Sequence, residues 1–167
     1  MTRSLIVVAA VVLSACASAP SRQQETIPAV AGEMRNASGV RYVDVATGNG
    51  AQMSQGKCVF THYTGWLEDG TRFDSSRDAA PDGTSGEPVA FIQGTGRVMR
   101  GWEVGFNGMR VGGKRRLFIP YQLAYGDDGN PPRIPPRAAL IFDVELMAVT
   151  DVTNHQCPAW KAVRNSG

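Results

Sequence analysis

The alternation of apolar and polar positions along the chain predicts short strands that are covered on one face. The clearest case is residues 139–149, where every second residue is apolar, at Leu140, Phe142, Val144 and Leu146. A period of two places these side chains on one face of a strand. The same reasoning predicts further strands over residues 40–46, 57–67, 71–74, 88–92 and 114–119.

Only one segment has strong helical spacing. Met99, Trp102 and Phe106 recur at steps of three and four, which predicts a short helix over residues 98–106. Residues 121–136 are crowded with Pro and Gly and are predicted to be a long loop. Because one short helix cannot form a layer alone, it must pack against the sheet, and strict alternation favours antiparallel pairing. We therefore expect an α+β fold.

The start of the chain has the pattern of an export signal. Arg3 precedes an unbroken apolar run from Leu5 to Leu13, which is too short for a membrane-spanning helix of about 20 residues. The run ends in Leu13-Ser14-Ala15-Cys16. This resembles the bacterial lipoprotein signal, in which the cysteine is lipidated and the chain is cut before it. An ordinary secretory signal with a coincidental cysteine is the alternative.

This interpretation divides the chain into four parts: a signal peptide over 1–15, a flexible tether over 16–38, a folded domain over 39–150 and a tail over 151–167. The tether is rich in Ser, Ala, Gln and Pro and has no sustained period. Ala17, rather than Asp, follows the lipidated cysteine and favours the outer membrane. The expected location is the bacterial cell envelope, lipid-anchored and facing the periplasm.

Composition and motifs exclude several classes of function. A net charge of +2 argues against a general nucleic-acid binder. The chain has no Gly-x-Ser-x-Gly elbow, no phosphate-binding loop and no His-Glu-x-x-His motif. His62 is expected to be a hydrogen-bonded structural residue, and His155 with Cys157 makes too few ligands for a metal. Residues 114–116, Lys-Arg-Arg, are expected to form a solvated strand edge rather than a phosphate patch. We expect no metal and no cofactor.

If Cys16 carries lipid, an even number of cysteines remains in an oxidising compartment. Cys58 begins a predicted strand and Cys157 lies in the tail. We predict a disulfide between them that pins the tail, with two unpaired thiols as the alternative.

An ordered set of motifs resembles the FKBP-type peptidyl-prolyl cis-trans isomerases, the tacrolimus- and rapamycin-binding family. It begins with His62-Tyr63-Thr64-Gly65-Trp66 and Phe73-Asp74-Ser75-Ser76-Arg77, and continues with Val98-Met99-Arg100-Gly101-Trp102. It ends with Ala124-Tyr125-Gly126, Ile134-Pro135-Pro136 and Phe142-Asp143-Val144-Glu145-Leu146. The resemblance implies a twisted antiparallel sheet wrapped around one short helix, with a pocket between them.

The resemblance also implies which residues form the site. The expected catalytic set is Tyr63, Phe73, Asp74, Trp102, Tyr125 and Phe142, and the expected substrate-binding set is Val89, Val98, Met99 and Ile134. Trp102 would be the floor for the proline ring, and Tyr125 would donate to a substrate carbonyl. Val89 stands where many members have Phe, and Arg133 adds charge at the rim.

The implied activity is cis-trans isomerisation of X-Pro bonds in envelope or secreted proteins. An aromatic pocket would withhold the water that stabilises the planar imide, and so favour the twisted state. The expected partners are proline-containing polypeptides, with macrolides such as tacrolimus or rapamycin as inhibitors, and the expected state is a monomer. A non-catalytic lipoprotein that binds proline segments as a chaperone or scaffold is the alternative.

Overall fold

The computed structural model describes residues 26–79 and 86–165. In chain order its elements are β1 Met34–Ala37, β2 Val40–Ala46, β3 Cys58–Leu67, β4 Arg72–Ser75, β5 Val89–Ile92, α1 Arg100–Gly105, β6 Lys114–Ile119, a 3₁₀ turn Tyr121–Leu123, β7 Leu140–Thr150 and α2 Trp160–Arg164.

The strands form one antiparallel sheet in the order β1-β2-β6-β7-β3-β4. β3 pairs with β7 along its whole length. The opposite edge of β3 is shared, since β5 pairs with Cys58–Thr61 and β4 with Thr64–Trp66. The expected α+β fold, an antiparallel sheet around a short helix, is confirmed.

Helix α1 packs against the inner face of this sheet, and the core lies between them. The alternating residues of β7 face α1, and Leu140, Phe142, Val144 and Leu146 are all buried. Gly101 allows the close approach, because a Cβ there would lie 2.3 Å from the Cγ2 atom of Ile119 on β6. The helix is shorter than predicted, and Met99 precedes it as the N-cap residue.

The basic run on β6 is not the solvated edge that the sequence suggested. β6 is an interior strand between β2 and β7, and Arg115 and Arg116 are only 6% and 4% exposed. Arg116 donates to both carboxylate oxygens of Asp143 at 2.6 Å. Arg115 donates to Asp44 and also to the carbonyl of Gly105, at the end of α1. Partners from neighbouring strands and the helix make burial of these charges tolerable.

Part of the predicted flexible tether is a strand. β1 pairs with β2 through a tight turn at Ser38 and Gly39, whose φ angles are 46° and 90°. Positive φ at both central residues gives a hairpin turn whose twist matches that of the strands. The Ser-Gly dipeptide was the signal for this hairpin, and the polar composition of β1 obscured it.

The tail is also structured. Cys58 and Cys157 form a disulfide, and beyond it α2 places the ring of Trp160 5.5 Å from that of Phe60 on β3. This contact explains why Phe60, on the outer face of the sheet, is only 1% exposed.

The signal peptide and Cys16 lie outside the described residues. Within the described part of the chain, none of the helices is both long and apolar enough to cross a bilayer.

Candidate functional site

An apolar cavity of about 330 Å³ opens between α1 and the inner face of the sheet. Three parts of the fold build it: β3, β4 and β7 on one side, the start of α1 with the residues before it, and the turn after the 3₁₀ segment. Its lining includes Tyr63, Phe73, Asp74, Val98, Met99, Trp102, Tyr125 and Phe142. The structure therefore brings together all six residues of the expected catalytic set, with two of the four expected substrate-binding residues.

The rings of this cavity hold one another edge to face. Trp102 lies at the start of α1, 5.1 Å from Tyr63 and 5.4 Å from Phe142 between ring centroids. Phe73 meets Phe142 at 5.6 Å with an interplanar angle of 89°. Such T-shaped pairs are favourable beyond the area that they bury. Mutual packing of this kind fixes the shape of the cavity before any ligand enters it.

The rim carries a small polar group centred on Asp74. The hydroxyl of Tyr63 donates to Asp74 Oδ2 at 2.6 Å, and the backbone N–H of Ser75 donates to Asp74 Oδ1 at 3.0 Å. Arg133 approaches the same Oδ1 atom at 3.7 Å, which is an ion pair but not a hydrogen bond. Tyr125 is 39% exposed and is therefore accessible to a ligand at the mouth.

Both tyrosine hydroxyls stay protonated at neutral pH. Burial, reinforced by the hydrogen bond to Asp74 and its charge, raises the pKa of Tyr63 far above its usual value. Burial also raises the pKa of Tyr125, with the charge of Asp74 adding to the effect. The hydroxyl hydrogen of Tyr63 is committed to Asp74, so Tyr125 supplies the phenolic donor at the mouth, and neither phenol is poised to act as a general base near neutral pH.

Two expected substrate-binding residues lie outside the cavity lining. Ile134 is 2% exposed and belongs to the hydrophobic core. Val89 is 37% exposed and lies at the start of β5, where it pairs with Thr61. From the same strand it is Phe91 that approaches the site, with its ring 5.8 Å from that of Trp102.

Three residues of the site were not singled out from the sequence. Arg97 and Ala124 line the cavity. Gly65 lies beneath two rings, because a Cβ there would be 2.6 Å from Phe73 Cζ and 2.8 Å from Phe142 Cε1. A glycine between Thr64 and Trp66 in a strand was the available signal, since such residues mark close approach of other groups.

His62 lies on the outer face of β3, away from the cavity. Its Nδ1 atom is 3.0 Å from Ser76 Oγ, consistent with the expected structural role. Burial, with the nearby charge of Arg77, lowers the pKa of its imidazole. In residues 26–79 and 86–165, no three His, Cys, Asp or Glu side chains are grouped as metal ligands.

Comparison with known proteins assigns the fold and the cavity to a family. The family profile described as FKBP-type peptidyl-prolyl cis-trans isomerase matches residues 50–147. This range includes every residue named in the cavity lining. The chain belongs to this family, and it is an FKBP-type peptidyl-prolyl cis-trans isomerase.

Individual relatives agree with this assignment. The chain is 47% identical over 106 residues to the FK506-binding protein of Neisseria meningitidis serogroup B, covering 64% of this chain and 92% of the relative. The crystal structure of FkpA from Escherichia coli matches with a TM-score of 0.62 and 37% identity, over 72% of this chain and 53% of FkpA. AtFKBP13 matches with a TM-score of 0.61 and 37% identity, over 70% and 98% of the two chains.

Proposed function

We propose that this isomerase is a lipid-anchored protein of a bacterial cell envelope and acts on X-Pro bonds of envelope or secreted proteins. Two features of the chain support this location. The apolar run and Cys16 resemble a lipoprotein signal, and the disulfide between Cys58 and Cys157 is of a kind that persists in oxidising compartments. Both features point to export, and export determines which clients the enzyme meets.

The aromatic cavity is where the reaction takes place in this proposal. Rotation about an X-Pro bond is slow because twisting destroys amide resonance, a barrier of ~18–20 kcal/mol. Water stabilises the planar, charge-separated ground state. A cavity walled by Trp102, Phe73 and Phe142 replaces that water with ring surface, so the twisted state is favoured relative to the planar one.

The polar rim positions the client in the same proposal. Tyr125 is exposed at the mouth and donates to a substrate carbonyl. Asp74, held by Tyr63, lies at the edge of the cavity beside the imide. Because no proton is transferred, both phenols can remain protonated throughout the reaction.

The geometry that carries this proposal is the edge-to-face cluster of Tyr63, Trp102 and Phe142 around an accessible cavity of about 330 Å³. The same cavity would bind macrolides of the FK506 type, as the name of the Neisseria relative indicates for that protein. Its test is a protease-free assay of X-Pro isomerisation in a short peptide, with and without FK506. We expect acceleration that FK506 abolishes. Acceleration that saturating FK506 leaves unchanged would contradict macrolide binding, and no acceleration would contradict the proposed reaction.

The lipid anchor has a separate test. We expect the full chain, expressed in a bacterium, to fractionate with membranes and to carry acyl mass on Cys16. Cys16→Ser should release it from the membrane fraction, whereas Ser18→Ala should not. A mature wild-type protein that begins beyond Cys16, or that carries no acyl group, would contradict the anchor.

A further inference from the structure

Two arginines, Arg97 and Arg133, lie at the aromatic cavity and at the groove beside it. Arg97 lies in the segment between β5 and α1 and lines the cavity. Arg133 lies in the loop before β7 and lines an adjoining groove of about 710 Å³. The cavity and the groove share Phe73 and Asp74 in their linings, so a polypeptide that places a proline in the cavity can continue along the groove.

The acidic groups at these surfaces are already occupied. Asp74 accepts hydrogen bonds from Tyr63 and Ser75, one on each carboxylate oxygen. In the groove, Asp78 is paired with Arg72. Among the described residues of the two linings, the acidic side chains are Asp74 and Asp78, and each already has an arginine beside it, Arg133 and Arg72 respectively.

The two arginines, in contrast, are available. Arg97 is exposed, and it forms no ion pair with the described part of the chain. Arg133 is 68% exposed, and among residues 26–79 and 86–165 its one ion-pair contact is the 3.7 Å approach to Asp74. A guanidinium held this loosely can turn to a better acceptor at small cost, and a client carboxylate could offer a bidentate contact.

We infer that this isomerase prefers clients with an acidic residue directly beside the proline, and that Arg97 and Arg133 confer the preference. The two side chains are specificity residues rather than catalytic groups, because their charge acts on the client and not on the reacting imide. The inference rests on the isomerase activity and is independent of the membrane anchor.

The test compares peptides that differ only in charge. Proline peptides carrying Glu, Gln or Lys immediately before the proline, and a second set with the same residues immediately after it, are assayed for kcat/KM without protease. At low salt we expect the Glu peptide of at least one set to exceed its Gln peptide by about two- to fivefold, the effect of one exposed ion pair, with Lys below Gln. Salt at 1 M should remove the difference, since the screening length is then about 3 Å.

Charge-neutral variants assign the effect to residues. The double variant Arg97→Gln and Arg133→Gln should bring the Glu-to-Gln ratio close to one. Arg164→Gln removes the same charge from α2, which lines neither surface, and should leave the ratio unchanged. Equal kcat/KM for Glu, Gln and Lys peptides in an active wild-type enzyme would overturn the preference and leave the isomerase assignment intact. Inactivity on every peptide would overturn both.

Discussion

Gly65 is a residue at which the backbone of β3 lies directly against two rings of the site, those of Phe73 and Phe142. Any side chain there would push against Phe73 and Phe142 together. The positions of the Phe73 and Phe142 rings therefore require that residue 65 carry no Cβ atom.

We expect Gly65→Ala to cost about 1–3 kcal/mol of unfolding free energy, as overpacking of a core does. It should also lower kcat/KM several-fold, because both displaced rings line the cavity. Gly56→Ala is the control: its φ of 76° strains a side chain, but nothing lies within 4 Å of its Cβ. Urea unfolding and the protease-free assay measure the two effects. Unchanged kcat/KM in Gly65→Ala would show that the ring positions do not matter.

Tyr63 gives a prediction about pH. Its pKa in the folded protein is raised above the value of 10.0 that applies to the unfolded chain. Above pH 10 the unfolded state releases this proton while the folded state retains it, so stability that is present below pH 10 is lost as the pH rises further. Wild type should lose more stability between pH 9 and pH 11 than Tyr63→Phe, measured by urea midpoints. Equal losses would contradict the buried, hydrogen-bonded phenol.

At the scale of elements, β6 and β7 are joined by two groups of charges on the outer face of the sheet, where Lys114 is paired with Glu145 and Arg116 with Asp143. Arg116 is 5% exposed in its side chain and depends on Asp143, whereas Glu145 pairs with the exposed Arg77 and Lys114. Without Asp143, the buried guanidinium of Arg116 would be left uncompensated. Without Glu145, the exposed Arg77 and Lys114 would still be hydrated.

Accordingly, Asp143→Asn should lower the free energy of unfolding by about 2–3 kcal/mol, below the usual range for fully buried pairs because Asp143 is 37% exposed. Glu145→Gln, the matched control two residues along β7, should cost at most about 1 kcal/mol. Denaturant titration compares them. Equal costs would mean that burial of Arg116 does not govern the pair.

The elements also show how far the sequence could predict this fold. The strict alternation of β7 predicted its buried face correctly, because one side of that strand meets the core and the other does not. Arg115 and Arg116 were wrongly predicted to be solvated, since the partners that compensate them, Asp44 and Asp143, come from distant parts of the chain. β1 was missed because a strand paired at one edge needs no apolar pattern.

The sequence motifs predicted which residues gather at the site, but not the direction in which every loop residue points. The six expected catalytic residues line one cavity, but their individual roles remain predictions. Ile134 was expected to bind substrate, yet the loop before β7 turns it into the core, and Arg133 is exposed instead. Neighbouring residues in a loop can face opposite directions, and no periodicity indicates which one faces the cavity.

At the scale of the whole molecule, the disulfide joins the start of β3 to the C-terminal tail across a sequence separation of 99 residues. The bond holds α2 against β3. Helix α2 lies outside residues 50–147, the range that the family profile matches. The bond therefore adds a C-terminal clamp to the family fold without contributing to the cavity.

Replacing both cysteines, as Cys58→Ala with Cys157→Ala, should lower stability by about 2–4 kcal/mol, because the unfolded chain gains freedom. At low temperature kcat/KM should stay within about twofold of the wild-type value, because neither cysteine lines the cavity. Trp160→Ala, which keeps the bond but removes the contact with Phe60, separates the two contributions. A thermal midpoint unaffected by loss of the bond would contradict a stabilising clamp.

Trp102 is the ring shared by the contacts with Tyr63 and Phe142, so its removal tests the water-excluding cavity most directly. The measurement is kcat/KM for X-Pro isomerisation by Trp102→Ala, made on protein whose fold is verified by its far-ultraviolet circular dichroism and cooperative unfolding. The account predicts a loss of at least about tenfold, corresponding to 1.36 kcal/mol of transition-state stabilisation. A folded variant with wild-type kcat/KM would contradict it.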